Sequence, residues 1–136
     1  MKKKYLIVIA NYYEDISKGL LDSALKLIPK SNIVKIITVP GVFEIPITIS
    51  KKINKFDAFI ALGCVIKGET PHFDFISQSV ANGVKDLNIL FDIPFLFCVL
   101  TDLNWEQALN RSGGKMGNKG SDSAIAAIEL IKNCTY

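Results

Sequence analysis

Histidine is nearly absent from this sequence: His72 is the sole example among 136 residues. Cysteine occurs three times, at Cys64, Cys98 and Cys134, an odd number with no C-x-x-C pair. With no C-x-x-C pair and a single histidine a zinc site is not expected, and an odd number of cysteines supplies no disulfide framework. The expectation is a cytoplasmic chain with free thiols and no metal. Arginine is scarcer than the charge implies, since Arg111 is the only one among 16 basic residues. The net charge of +3 rests on scattered lysines. A nucleic-acid partner requires a clustered basic face, which is missing. No apolar run approaches the roughly 20 residues that a membrane-spanning helix needs. Lys2-Lys3-Lys4 before the apolar residues 5–10 has the outline of a signal peptide. That run is short, however, and it meets Asn11-Tyr12-Tyr13-Glu14-Asp15 rather than a small-residue cleavage site. A solvated amino terminus leading into a strand is expected instead.

Apolar residues are plentiful, at 49% of the chain with a mean hydropathy of +0.29. Residues 1–136 have the size of one domain. At this length roughly two-thirds of the unfolded surface becomes buried, so a substantial core is available. The apolar excess points further, to an oligomer that hides surface between copies.

The apolar runs 5–10, 33–39, 58–66 and 95–100 are continuous, as in strands covered on both faces. Helical spacing separates them. Ile16, Leu20, Ala24 and Ile28 recur every four residues, with Pro29 as the stop. A shorter helix is expected over 45–53, with Pro46 in its first turn. Phe73, Ile76, Val80, Val84 and Leu87 mark a helix over 71–89, with Thr70 as N-cap and Pro71 at the first position. Asn104 and Gln107 form a capping-box pattern opening a helix to Arg111. Ser112-Gly113-Gly114 breaks that helix, Gly117 and Gly120 keep the loop open, and Ala124, Ala127, Ile128 and Ile131 mark a last helix. Strand and helix alternate four times. The fold expected is a three-layer α/β/α sandwich around a four-stranded parallel sheet, flavodoxin-like, with right-handed crossovers.

In such sheets the site lies at the carboxyl ends of the strands. Four segments fall there: Asn11 to Tyr13, Pro40 to Glu44, Lys67 to His72, and Thr101-Asp102. The third is the densest in chemistry. A helix start attracts anions through its free N–H groups and dipole, Gly68 permits close approach, and His72 is of the side-chain type suited to proton transfer. An ordinary helix entry with a structural histidine has the same residues. Tyr12 is placed to stack on a planar ring or to cap the core. Glu44 either complements a helix dipole or accepts from hydroxyl groups. Arg111 suits phosphate oxygens through its planar fork, or pairs with helix-end carbonyls. Lys115 and Lys119 lie in a glycine-rich loop that also reads as plain surface.

Taken together these segments closely resemble the lumazine synthase family. The resemblance rests on Gly41-Val42-Phe43-Glu44-Ile45-Pro46, on Gly63-x-Val65-Ile66-Lys67-Gly68-Glu69-Thr70-Pro71-His72-Phe73-Asp74, and on Leu100-Thr101 with Glu106-Gln107-Ala108. Arg111 to Lys115 and Gly117-Asn118-Lys119-Gly120 complete it. It spans residues 5–131. It implies a transferase that condenses 5-amino-6-(D-ribitylamino)uracil with 3,4-dihydroxy-2-butanone 4-phosphate. The products are 6,7-dimethyl-8-ribityllumazine, phosphate and water, the penultimate step of riboflavin biosynthesis. It implies no cofactor, a pentamer or an icosahedral shell of pentamers, and a site between adjacent subunits, with riboflavin synthase as a candidate partner.

Position by position, the resemblance gives ring stacking to Tyr12 and the ribityl chain to Val42, Phe43 and Glu44. The pyrimidine falls to Cys64, Val65 and Ile66, and the phosphate to Glu69 and Thr70 with Arg111. His72 becomes the proton carrier, Phe97 the aromatic contributed across the subunit boundary, and Lys119 the lysine near the ribityl chain. Three positions depart from the family pattern: Tyr12 for Phe or Trp, Tyr13 for Asn, and Lys67 for Arg. The amino terminus is also short where many relatives carry a strand that joins a neighbour's sheet. Two other classes share this fold, a non-catalytic lumazine or flavin carrier and a flavodoxin- or receiver-like switch. A carrier needs neither His72 nor Arg111. A switch needs a Ser/Thr-rich or acidic loop where Asn11-Tyr12-Tyr13 stands.

Overall fold

The structure is a computed structural model and describes residues 2–114 and 117–134, the Cys134 side chain excepted. Lys115 and that side chain lie outside the described residues. Strand β1 (Lys4–Ala10) leads to α1 (Glu14–Leu27) and β2 (Ile33–Val39). A 3-10 turn (Val42–Glu44) and α2 (Ile45–Ser50) precede β3 (Ala58–Ile66) and α3 (His72–Phe91). Then come β4 (Phe95–Asp102), α4 (Trp105–Arg111), β5 (Ser112–Gly114), β6 (Gly117–Asn118) and α5 (Lys119–Cys134). Four strands form a parallel sheet in the order β2-β1-β3-β4. The pairing Ile36–Ile7–Ile60 crosses its centre.

Alternation along the strands builds two cores. Tyr5, Ile7, Ile9, Ile60 and Leu62 pack with Ile16, Leu20, Ala24 and Ala127, on the side of α1 and α5. Leu6, Val8, Ala10, Phe59 and Ala61 pack with Ile45, Ile49, Val80 and Val84, on the side of α2 and α3. Both faces of β1 and β3 are therefore apolar, which is why those runs are unbroken. The four-residue spacing of α1 is realised, since Ile16, Leu20, Ala24 and Ile28 are all buried. Fully burying one such Leu or Ile contributes about 1.5–3 kcal/mol. The α1–α5 seam is tight: a side chain at Gly120 would run into the Leu20 carbonyl.

Several expectations need correction. The β2 run is not covered on both faces, because β2 is an edge strand and Ile33 and Ile36 remain 45% and 40% exposed. Helix α2 stops at Ser50 rather than 53, and residues 51–54 are turn. Pro71, not Thr70, is the N-cap of α3, so His72 is the first helical residue. Thr70 still contributes, since its Oγ1 accepts from the His72 N–H at 3.4 Å. The same helix runs on to Phe91 and ends at Asp92 in the left-handed region (φ 53°). Strand β4 continues through Thr101 and Asp102. At α4 the Asn104 Oδ1 accepts from the Gln107 N–H at 2.9 Å, but the Gln107 Oε1 accepts from Leu103 N–H rather than Asn104 N–H. The glycine-rich loop after α4 is a short antiparallel hairpin, β5 with β6. Among the described residues no helix is long and apolar enough to cross a membrane.

Candidate active site

The carboxyl edge of the sheet holds a cavity of about 320 Å³ between β1, the 3-10 turn, β3 and the start of α3. Close packing shapes its floor. A Cβ at Gly63 would sit 2.7 Å from Val42 Cγ1, so only glycine lets the turn rest on β3. Cys64, Val65 and Ile66 form the strand side of the wall, Val42 and Phe43 the turn side, and His72 the helix side. Tyr12 and Phe43 are 75% and 61% exposed, so two aromatic faces stand open at the cavity. Tyr12 therefore does not cap the core. Tyr13 packs edge-on between Tyr12 and Trp105, with ring centroids at 4.9 and 5.8 Å.

The thiol in this wall is inert. Burial, and then the charge of Asp102, pushes Cys64 up to about 12, so it is neutral and apolar near pH 7 rather than a nucleophile. Burial first, then Tyr12 and Cys64, also raises the Tyr13 hydroxyl. His72 is exposed at the helix start. Glu69 and Thr70 lie on the exposed loop before it, beyond the residues lining the cavity.

A second cavity, of about 560 Å³, opens along β4 toward α5. Phe97, Arg111 and Lys119 line it with Asp102, Asp122 and Ser123. Arg111 Nη1 donates to Asp102 Oδ1 at 2.7 Å, and the carboxylate is only 2% exposed. Neither earlier alternative for Arg111 alone, phosphate or helix-end carbonyls, anticipated this partner. Burial raises the Asp102 carboxyl above its ordinary value, and Arg111 offsets part of the rise. Lys119 Nζ lies 3.5 Å from Asp122 Oδ2. Burial pushes the Cys98 thiol up to about 11, with a Ser123 hydrogen bond opposing.

Glu44 lines a third groove, with Phe43, Pro46, Ile47, Ser79 and Gly83. The structure thus gathers Tyr12, Val42, Phe43, Cys64, Val65, Ile66 and His72 in one cavity and Phe97, Arg111 and Lys119 in another. Sequence reasoning placed Asp102 at the carboxyl edge without a role and assigned nothing to Trp105. For Trp105 the only local signal was an aromatic following a helix cap. For Asp102 it was an acid at a strand end.

A parallel sheet covered by helices on both faces, with a cavity at its carboxyl edge, defines an α/β protein of the doubly wound class. The model of 6,7-dimethyl-8-ribityllumazine synthase matches residues 2–135. Three similar proteins carry that same name. The Christiangramia forsetii protein is 47% identical over 137 residues, which cover 95% of this chain and 81% of that protein. The Clostridium kluyveri protein is 47% identical over 134 residues, covering 93% and 86%. The Flavobacterium johnsoniae protein is 43% identical over 134 residues, covering 93% and 70%. The chain belongs to the 6,7-dimethyl-8-ribityllumazine synthase family, a family of enzymes.

Proposed function

We propose that this chain condenses 5-amino-6-(D-ribitylamino)uracil with 3,4-dihydroxy-2-butanone 4-phosphate, as a transferase in the penultimate step of riboflavin biosynthesis. The observation that carries the reading is the cavity shared by Tyr12, Phe43, Cys64 to Ile66 and His72, in a chain matched by the family over residues 2–135. The pyrimidine stacks on Tyr12 and is read by Cys64, Val65 and Ile66. The ribityl chain runs along Val42, Phe43 and Glu44. Glu69, Thr70 and the start of α3 receive the phosphate.

The chemistry needs no bond to the protein. The amine attacks the ketone, water leaves as the imine forms, phosphate is eliminated, and the second nitrogen attacks the carbonyl that elimination unmasks, closing the ring with loss of a second water. Holding both substrates together supplies much of the acceleration. His72 carries protons between these steps, worth about 10²–10⁴-fold in favourable cases. Arg111 balances charge on the departing phosphate.

The active unit is a ring of five, each copy being one domain over residues 1–136, in the cytoplasm. Phe97, Arg111 and Lys119 line a different cavity from His72, which supports a site completed by the adjacent copy. Whether rings close into a shell turns on the segment between α4 and α5, and light scattering distinguishes the two masses. The function itself is tested by turnover with both substrates. Appearance of lumazine absorbance that depends on both is expected. A folded oligomer that binds the pyrimidine yet forms no product would make the chain a carrier instead.

A further inference from the structure

The two cavities meet at one buried carboxylate. Asp102 ends β4, and its Oδ1 accepts from Arg111 Nη1 at 2.7 Å. Its Oδ2 lies 4.0 Å from the Cys64 Sγ, within reach of a thiol donor. The strand register explains the meeting. Cys64 pairs with Leu100 and Ile66 with Asp102, and Cys64 and Leu100 both face α1 and α5. Asp102, two residues beyond Leu100, shares that face. One side chain therefore touches the arginine of the second cavity and the thiol in the wall of the first.

Arg111 is the only arginine in the chain, with a side chain 35% exposed. The guanidinium carries five N–H donors, of which Asp102 occupies one edge. The rest of the fork has no hydrogen bond among the described residues. An unanchored arginine samples many rotamers and loses that freedom when it is fixed. Asp102 fixes it beforehand. The carboxylate itself is buried, and Arg111 is its only ion-pair partner among the described residues. Lys119, in the same cavity, lies against Asp122 instead.

We propose that Asp102 is a positioning residue for the phosphate-bearing substrate: it holds the Arg111 fork through Nη1 and leaves the remaining donors free for phosphate oxygens. This rests on the reading of Arg111 as a phosphate ligand. It assigns to a buried acid a role in substrate affinity rather than in folding alone.

The test compares Asp102→Ala, Asp102→Asn, Arg111→Ala and the Asp102→Ala/Arg111→Ala double variant. Each is first checked for assembly and melting temperature, then assayed for KM of both substrates and for inhibition by inorganic phosphate. Asp102→Ala should raise the KM for the phosphate-bearing substrate about 10-fold, with phosphate inhibition weakened alike, because ordering the arginine is now charged to binding. The KM for the pyrimidine should stay within about 2-fold, since Asp102 stands behind Cys64 and does not line that cavity. Asp102→Asn keeps an acceptor for Nη1 and should restore affinity to within about 3-fold of the parent. The double variant should be no worse than Arg111→Ala, the mark of two residues acting as one unit. Equal losses for both substrates, or no rescue by Asn, would make Asp102 purely structural. If Arg111→Ala weakens phosphate and Asp102→Ala does not, the positioning role alone fails. If Arg111→Ala leaves phosphate affinity unchanged, the phosphate role of Arg111 falls, and the proposal with it. Should Asp102→Ala not assemble, Asp102→Asn decides: an Asn variant that assembles but loses phosphate affinity selectively by 10-fold would contradict positioning through the hydrogen bond.

Discussion

The cavity beside His72 and the cavity beside Arg111 differ in kind. The first is walled by Tyr12, Phe43, Val65 and Ile66, with a thiol too buried to ionise and one histidine at its rim. The second holds two cations, Arg111 and Lys119, against Asp102 and Asp122. A planar ring is stabilised by the first environment and a phosphate by the second. Neither alone suits both substrates. The difference teaches that the residues proposed for the site fall in two unlike cavities, and the proposed shared site is what would bring such halves together.

Three substitutions separate the halves by activity, in order of expected size. Arg111→Lys keeps the charge but loses the fork, and should raise the KM for the phosphate-bearing substrate about 30-fold while leaving the pyrimidine nearly unaffected. Steady-state kinetics in each substrate checks this, and equal losses would mark Arg111 as structural. His72→Ala should lower kcat about 10-fold or more with little change in either KM, because positioning survives. Wild-type turnover in that variant would remove the proton-carrying role. Tyr12→Ala should weaken the pyrimidine about 5-fold and spare phosphate inhibition, as the loss of one stacking face implies. Isothermal titration with each ligand separates the two effects.

A separate comparison, read on stability rather than activity, sets the two buried thiols against each other under alkali. Cys98 titrates at about 11 and Cys64 at about 12, both raised above the ordinary value of 9.0 chiefly by burial. The folded state therefore holds these protons more tightly than the unfolded one, so stability falls as pH rises above 9. The slope is about 1.4 kcal/mol per pH unit for each thiol. Cys98 ceases to contribute near pH 11, whereas Cys64 continues toward 12. Urea unfolding across this range should show Cys64→Ala losing one proton of slope up to about 12 and Cys98→Ala losing it only up to about 11. Slopes unchanged in both variants would mean that neither thiol is shielded from solvent as its burial implies.

Much of the architecture was legible because spacing maps directly onto burial. The residues four apart in α1 became one buried face, and the continuous runs of β1 and β3 became strands covered by helices on both sides. Hydropathy failed at β2, because an apolar run does not say whether its strand has one neighbour or two. It also missed the β5–β6 hairpin, whose glycines read as open loop. The site was legible as a set of strand ends, but its division into two cavities was not. That division depends on which face each side chain takes across the β3–β4 register. Asp102 illustrates the limit. An acid at a strand end gives no local sign that an arginine nine residues on will pair with it.

The shared site is tested most directly by mixing two crippled variants. One carries Tyr12→Ala with His72→Ala, the other Phe97→Ala with Arg111→Ala. Each pure assembly has every site damaged on one side. When the two are unfolded together and refolded as mixed rings, about a quarter of the boundaries join an intact first half to an intact second half. Activity in the mixture should rise well above the mean of the two variants, toward roughly a quarter of the parent rate. A mixture no more active than that mean, with mass spectrometry confirming mixed rings, would place each complete site within a single chain and contradict the account.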